Sequence, residues 1–401
     1  MIREVSLHAF KCFDDRRIPI APLTLLTGLN AAGKSTVLQA LLFLQQALTE
    51  GGRDATSGRV VVPLNGSILR LGAVKDVVDK VKGGSAFAIR LESESCSVRV
   101  DFRASDSGGR DDLSLIVDQV SWKDPATGLD HSDQQDLLPA PLANIPQAQA
   151  LFAALTRLRY VPADRVGPAE TYPLDNRERH HSLGARGERA VGALFWQREQ
   201  EETIDDRLRH PDPEIASRVD RQVEAWLADL FPGVVLELAR VPHANLLTLG
   251  IRTSEKTDFH RPQHVGFGIT YVLPILVALL GAKAGDLVIL ENPEAHLHPR
   301  AQSRLGRLCA LAASAGIQVL LETHSEHVLN GARLAVHDGI LKPGDVSVLF
   351  FTRTGESGEH AIERIGMNRQ GQLDNWLPGF FDESERILDV LLASPDGDER
   401  A

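Results

Sequence analysis

The run Gly28-Leu29-Asn30-Ala31-Ala32-Gly33-Lys34-Ser35 satisfies GxxxxGK[ST], and residues of these types at this spacing can hold phosphate. The oxygens of a polyphosphate need converging backbone N–H donors at a helix N-terminus. Glycines at the two ends of a loop let the backbone come close enough to supply them. Lys34 is placed to neutralise β- and γ-phosphates, the Ser35 hydroxyl to ligate Mg²⁺, and Thr36 to reach an α-phosphate. Gly28, Asn30, Ala32, Gly33, Lys34, Ser35 and Thr36 are therefore the candidate cradle for ATP, with Mg²⁺ as its metal.

Two further strings could complete such a site. Leu287-Val288-Ile289-Leu290-Glu291 is an apolar run closing on a carboxylate, followed by Asn292, Pro293 and Glu294. One acid at a sheet edge beside the phosphate loop can hold Mg²⁺, and a second can orient or deprotonate the attacking water. Glu291 reads as the metal-side acid and Glu294 as the catalytic one. Gln318 to Leu321 is another apolar run, leading into Glu322-Thr323-His324-Ser325. His324 at that strand tip can donate to a γ-phosphate oxyanion and report its presence. Taken singly, these strings read as a surface glutamate and a structural histidine; the order loop, acid, histidine is what points to nucleotide chemistry.

Pro22 to Thr27 predicts a buried strand ending at Gly28. Across Lys34 to Leu48, Val37, Leu38, Leu41, Leu42, Leu44, Gln45 and Leu48 fall at helical spacing. The loop thus sits between a strand and a helix. Ile2 to Phe13 alternates as a strand, and Phe87 to Leu91, Cys96 to Phe102 and Leu113 to Val120 predict an antiparallel β subdomain. Asp124 to Pro146 reads as a surface loop and Asp164 to Pro213 as a charged, turn-rich insertion. Arg157, Arg159, Arg165, Arg177, Arg179, Arg186 and Arg189 form a locally basic stretch there, either a solvated, partly helical face or a nucleic-acid contact. From Thr270 helix and strand alternate: a helix to Gly281, strand Leu287 to Leu290, helix Arg300 to Ala313, strand Gln318 to Leu321, helix Ser325 to Ala335 and strand Val346 to Phe351. That pattern predicts α/β architecture with a parallel sheet.

The chain has 401 residues, 43% hydrophobic and 24% charged, with net charge −11. These values fit a globular chain with a sizeable core and argue against one coated in positive charge, although a local basic face is compatible. Cys12, Cys96 and Cys309 show neither CxxC spacing nor a metal-ligand partner, so a reduced compartment is expected. The longest apolar stretch, Tyr271 to Ala284, runs about 14 residues and falls short of the ~20 of a membrane span. Met1-Ile2-Arg3-Glu4 opens no signal segment. A soluble cytoplasmic protein without a membrane partner is the expectation.

The order of the strings, with the opening segment, Glu291-Asn292-Pro293-Glu294, His296-Leu297-His298-Pro299 and Thr323-His324-Ser325, resembles ABC-type ATPases of the SMC, RecF and overcoming-lysogenization-defect (OLD) group. The resemblance covers about residues 1 to 50 and 260 to 340. Tyr160-Val161-Pro162-Ala163-Asp164-Arg165 and Asn375-Trp376-Leu377-Pro378-Gly379-Phe380-Phe381-Asp382 resemble a narrower bacterial family, stand-alone AAA-family ATPases with a C-terminal domain of unknown function bearing a WP-x-GFF-like segment. A packed aromatic edge accounts for that last segment, and no chemistry is assigned to it. The resemblance implies a P-loop NTPase fold: an ABC-type head with a mixed central sheet, antiparallel β subdomain and helical insertion. The expected organisation is an N-terminal ATPase lobe (1–124), an insertion (125–260), a C-terminal ATPase lobe (261–352) and a terminal segment of unknown function (353–401).

It also implies a homodimer in which two heads sandwich two ATPs, the loop of one facing a signature loop of the other. The matching position is Val265-Gly266-Phe267-Gly268, where Gly266 and Gly268 would aim backbone N–H groups at the partner's γ-phosphate. Gly266 stands where the group has a serine, and Thr270 is the nearest hydroxyl. Asn292 stands where the group has a second acid; an amide can orient water but cannot take its proton, so either Glu294 supplies the base or hydrolysis is slow. The functions implied are an ATP-hydrolysing engine working with DNA or an effector protein, nuclease or toxin, in anti-phage defence, DNA repair or DNA maintenance, or an ATP-gated scaffold with little turnover. A self-contained OLD-type nuclease is disfavoured: the stretch after His324 is short, and its acids at Asp382-Glu383 and Asp396 to Glu399 lack preceding apolar strands. A transporter subunit is disfavoured by the divergent signature and by the insertion between Pro125 and Pro213.

Overall fold

The computed structural model describes residues 1–55, 57–78, 84–105, 109–123, 128, 130–133, 136–176, 182–354 and 359–392. Its opening segment is two strands where one was expected: β1 (Glu4–Phe10) turns at Lys11 and Cys12 into β2 (Phe13–Pro19). The central residues of β2 are the exposed Asp14, Asp15, Arg16 and Arg17, which carry no apolar alternation to mark a strand. β3 (Leu23–Gly28) leads through the glycine loop to α1 (Lys34–Glu50). β4 (Gly52–Arg53), β5 (Val60–Pro63) and the short α2 (Val74–Val77) precede three long antiparallel strands, β6 (Ala86–Glu92), β7 (Ser97–Arg103) and β8 (Ser114–Lys123). These three match the expected β subdomain, and they join β1 and β2 in one sheet ordered β2-β1-β6-β7-β8-β5-β4.

Within Asp124 to Pro146, expected as loop, β9 (Asp130–Asp133) pairs with β8 and α3 (Ala140–Ala143) forms one turn. Residues 124–127, 129, 134 and 135 of that stretch lie outside the described residues. α4 (Pro146–Thr156) then delivers β10 (Arg159–Val161). After β11 (Tyr172–Pro173) come α5 (Ala190–Glu199), α6 (Val219–Leu230), β12 (Val235–Arg240) and β13 (Leu246–Arg252), with β11, β13 and β12 forming a small antiparallel sheet. The last third runs α7 (Phe267–Leu280), β14 (Leu287–Glu291), α8 (Pro299–Ser314), β15 (Gln318–Glu322), α9 (Glu326–His337), β16 (Val346–Thr354), β17 (Glu359–Ile365) and α10 (Glu383–Leu392).

The central sheet is ordered β10-β14-β15-β3-β16-β17, parallel except for antiparallel β17. It is the mixed sheet of a P-loop NTPase fold. Its inner strands β14, β15 and β3 are largely apolar because both faces are covered, and the pleat sends alternate residues to opposite cores. Leu25, Val288, Leu290, Val319 and Leu321 pack with α5 to α9, whereas Leu26, Leu287, Ile289 and Leu320 pack with α1 and the β subdomain. α1 is held between the two sheets, so the helix that begins at the phosphate loop is anchored along Val37, Leu38, Leu41, Leu42 and Leu44, all buried.

In the basic stretch the described arginines divide between buried side chains and partly exposed, ion-paired ones. Arg159 and Arg165 are each 1% exposed. Arg157 pairs with Asp286 at 2.8 Å, Arg186 with Asp164 at 2.9 Å and Arg189 with Asp175 at 2.8 Å, while Arg177 and Arg179 lie outside the described residues. In the terminal segment Phe380 is buried edge-on against Phe350 at 5.3 Å, and Trp376 tilts on Phe380 at 5.4 Å. Among the described residues no helix is long and apolar enough to cross a membrane.

Candidate nucleotide site

β3 ends at Gly28 with φ 118°, and a Cβ there would lie 2.2 Å from the Phe351 carbonyl oxygen, so only glycine fits against β16. Gly33 has φ 105°, and its Cβ would meet the Phe13 ring at 2.6 Å. The loop is pinned at its ends. Leu29 N–H donates to the Phe351 carbonyl at 3.0 Å, Thr36 N–H to the Gly33 carbonyl at 3.1 Å, and His360 Nδ1 lies 3.0 Å from the Ala32 carbonyl. α1 starts from Gly33 with no capping side chain. A helix start leaves its first N–H groups without intrahelical partners and carries partial positive charge, which suits an anion. Asn30 is exposed on the loop; Ala32 and Thr36 are buried, with the Thr36 hydroxyl 3.6 Å from Cys12 Sγ. Lys34, 4% exposed, donates Nζ to the Gly28 and Leu29 carbonyls, both at 2.9 Å. Burial pulls its ammonium below the usual lysine range, and Glu322 opposes that shift.

The parallel register aligns the carboxylates. Glu291 at the end of β14 lies beside Glu322 at the end of β15, and Glu322 lies beside Leu26 of β3. β15 therefore stands between the expected metal-side acid and the loop. Ser35 Oγ donates to Glu322 Oε2 at 2.9 Å, and Lys34 Nζ is 4.0 Å from Glu322 Oε1. Glu291 instead accepts the Ala163 N–H at 3.3 Å and a hydrogen bond from Tyr160. Burial raises both carboxyls above the usual range; the Ser35 bond works against this at Glu322 and the Ala163 N–H at Glu291. The Tyr160 phenol is also pushed up, by burial first and then by the Glu291 charge. Glu322 escaped the sequence reading although it carries the signal used for Glu291, an acid closing an apolar strand.

Beyond β14 the chain turns at Asn292, φ 44°, whose N–H donates to the Glu322 carbonyl at 2.8 Å. Glu294 is tied to the histidine turn: its Oε2 accepts Thr323 Oγ1 and its Oε1 accepts His324 N–H, each at 2.8 Å. His324 itself is exposed. Arg165 spans the acidic turn, donating to the carbonyls of Pro162 at 3.2 Å, Glu291 at 2.9 Å and Asn292 at 2.9 Å. Its guanidinium lies 5.3 Å from the Tyr271 ring, and Tyr271 packs on His296 at 4.6 Å. Burial lowers the Arg165 guanidinium to about 10, which leaves it charged at neutral pH.

Lys34, Ser35, Glu322 and Glu291 thus share one sheet edge, with Asn292, Glu294 and His324 in the turns next to it. Gly266, Gly268 and Thr270 belong to the start of α7. Gly266 is exposed with open space around its Cα, whereas Gly268 is buried, a Cβ there meeting the His296 carbonyl at 2.8 Å and Phe231 at 3.0 Å. Thr270 Oγ1 donates back to the Phe267 carbonyl at 3.0 Å and so is spent on its own helix. Gly266, Phe267 and Gly268 line a surface cavity of about 550 Å³ with Phe231, Val265 and His296. Among the described residues no three His, Cys, Asp or Glu side chains gather around a common metal position. The oxygen donors Ser35, Glu322 and Glu291 are of the hard type that suits Mg²⁺ alongside phosphate.

The family model described as AAA domain, putative AbiEii toxin, Type IV TA system matches residues 23–330, and the model described as Protein of unknown function (DUF3696) matches residues 341–391. Over 355 residues the chain is 24% identical to the OLD nuclease of Thermus scotoductus (strain ATCC 700910 / SA-01). That alignment takes in 81% of this chain and 59% of the relative's length. A crystal structure of an Smc head bound to the C-winged helix domain of ScpA is similar in fold, with a TM-score of 0.52 at 14% identity, covering 91% of this chain and 98% of that one.

Proposed function

Since the chain belongs to the family described as AAA domain, putative AbiEii toxin, Type IV TA system, and is an ATPase of the SMC/RecF/OLD-like type, we propose that it binds ATP with Mg²⁺ and hydrolyses it, pairing with a second copy when nucleotide is bound. The observation that carries this reading is the sheet edge where Lys34, Ser35, Glu322 and Glu291 stand at the mouth of a glycine-ended loop. In it Lys34 and the α1 N-terminus bind phosphate, Ser35 and Glu291 serve Mg²⁺, Glu294 serves the attacking water and His324 reads the γ-phosphate. The bound metal would neutralise phosphate charge. Gly266 and Gly268 would complete the partner's site, with Thr270 buttressing the helix start rather than touching ligand. The reaction class is phosphoanhydride hydrolysis, and the proposed setting is a bacterial anti-phage or DNA-maintenance system in which an effector protein, nuclease or toxin, or DNA is the partner. The family description and the nuclease relative support that setting. The exposed Ile387, Leu388, Val390, Leu391 and Leu392 of α10 support a protein partner, because solvent-facing apolar runs mark interaction surfaces.

A second reading, an ATP-gated scaffold with slow turnover, is favoured by one observation: both Glu294 oxygens are engaged by Thr323 and His324. Steady-state ATP turnover of the purified protein, with and without DNA, separates the two. For the engine, Glu294→Gln keeps ATP binding and lowers kcat by roughly 10²-fold or more, the scale of a lost general base. For the scaffold, basal turnover is slow, Glu294→Gln changes it little, and Asn292→Glu at saturating Mg²⁺ speeds it.

A further inference from the structure

We propose that Glu322 is a positioning residue of the nucleotide site, one that makes triphosphate entry conditional on a divalent cation. The proposal rests on the reading of residues 28–36 as a phosphate loop and adds a residue that neither the loop motif nor the acid of β14 supplies. Glu322 is 7% exposed, and it closes the strand that separates β14 from β3. Two consequences follow from its contacts. Ser35 donates its only hydroxyl proton to Glu322 Oε2 at 2.9 Å, so the rotor is fixed and the oxygen lone pairs are turned away from the carboxylate, ready to face a cation.

The second consequence is charge. Glu291, Glu294 and Glu322 share this edge with Lys34 and Arg165, so three carboxyl side chains stand against two basic ones, with His324 exposed beside them. Arg165 donates Nη1 and Nη2 to the carbonyls of Pro162, Glu291 and Asn292, whereas Lys34 Nζ lies 4.0 Å from Glu322 Oε1, so Lys34 is the cation set against Glu322. A bare triphosphate would add anionic oxygens to a partly buried site already carrying a negative excess, where Coulomb energies exceed those in bulk water. A divalent cation, which Ser35 and the neighbouring acids would hold, would reverse that balance. Mg²⁺ thereby becomes a requirement for nucleotide binding itself, before any chemistry.

The test is calorimetric titration of the full chain with ATP, once with Mg²⁺ in excess and once with EDTA. The wild type should bind ATP much more tightly with Mg²⁺. Glu322→Gln, near in shape but uncharged, should bind ATP in EDTA as well as or better than the wild type, and its ratio of affinities with and without Mg²⁺ should fall by about tenfold or more. Glu322→Asp, which keeps the charge, should retain most of the ratio. A Glu322→Gln protein with the wild-type ratio, or one that loses binding in both buffers while unfolding at the wild-type temperature, overturns the proposal. Lys34→Ala should bind ATP at least about tenfold more weakly in both buffers. If instead the wild type binds no ATP even with Mg²⁺, the phosphate-loop reading fails and the role of Glu322 falls with it.

Discussion

The Lys34 ammonium rests on two loop carbonyls, an arrangement that a polyphosphate would replace with anionic oxygens. Lys34→Ala should remove a charge-assisted bond of about 1.5–3 kcal/mol and so weaken ATP binding roughly 10- to 150-fold in calorimetry. Cysteine chemistry supplies a second prediction at this scale. Burial pushes the Cys309 thiol from 9.0 up to about 12. A group whose folded value is raised contributes stability that is complete below its unfolded value and is lost as pH rises towards the folded one. Urea unfolding should therefore show stability falling between about pH 9 and 12, and Cys309→Ala should flatten that slope while costing little at neutral pH.

Arg165 ties three elements at once: the loop after β10, the turn after β14, and α7 through Tyr271. A lysine cannot reproduce a planar fork that reaches three carbonyls. Arg165→Lys should destabilise the chain by about 1–3 kcal/mol in urea unfolding. It should also lower kcat more than ATP affinity, because Lys34 and Ser35 are carried by α1 and remain in place. An equal loss in both would assign Arg165 a purely structural role. The same element-level view explains Asn292: its left-handed conformation, φ 44°, is one that asparagine tolerates better than most residues, and it lets the N–H reach the Glu322 carbonyl. Asn292 thereby links the ends of β14 and β15 whatever its side chain does to water.

For the whole molecule, the proposed ATP-bound pair puts the start of α7 against a second copy. The structure identifies the clean probe. Gly268 is buried against the His296 carbonyl, so a side chain there would disturb the fold, whereas nothing lies within 4 Å of a Cβ on Gly266. Gly266→Glu should leave the thermal unfolding temperature unchanged and abolish any increase in mass on adding ATP and Mg²⁺, measured by light scattering. An unchanged ATP-induced mass increase in this variant would exclude Gly266 from the pairing surface. Among the described arginines of 157–189, Arg159 and Arg165 are buried, and Arg157, Arg186 and Arg189 are paired with aspartates.

Local spacing carried the phosphate loop, because its chemistry is written in consecutive residues between one strand and one helix, and Gly28 to Thr36 need no distant partner to be recognised. Alternation and helical periodicity likewise marked β3, α1, β6 to β8 and the α/β run from α7 to β16, since burial of one or both faces leaves its period in the chain. They missed β2, whose exposed Asp-Asp-Arg-Arg centre has no buried period, and β9, where the turn-rich composition dominated. Lateral order was decided only in three dimensions. Which strand lies next to β3 depends on how the crossover helices pack on two cores, and no spacing along the chain encodes it. That order puts Glu322, not Glu291, on Ser35, ties Glu294 to the histidine turn, and buries Arg159 and Arg165 that composition alone left on the surface.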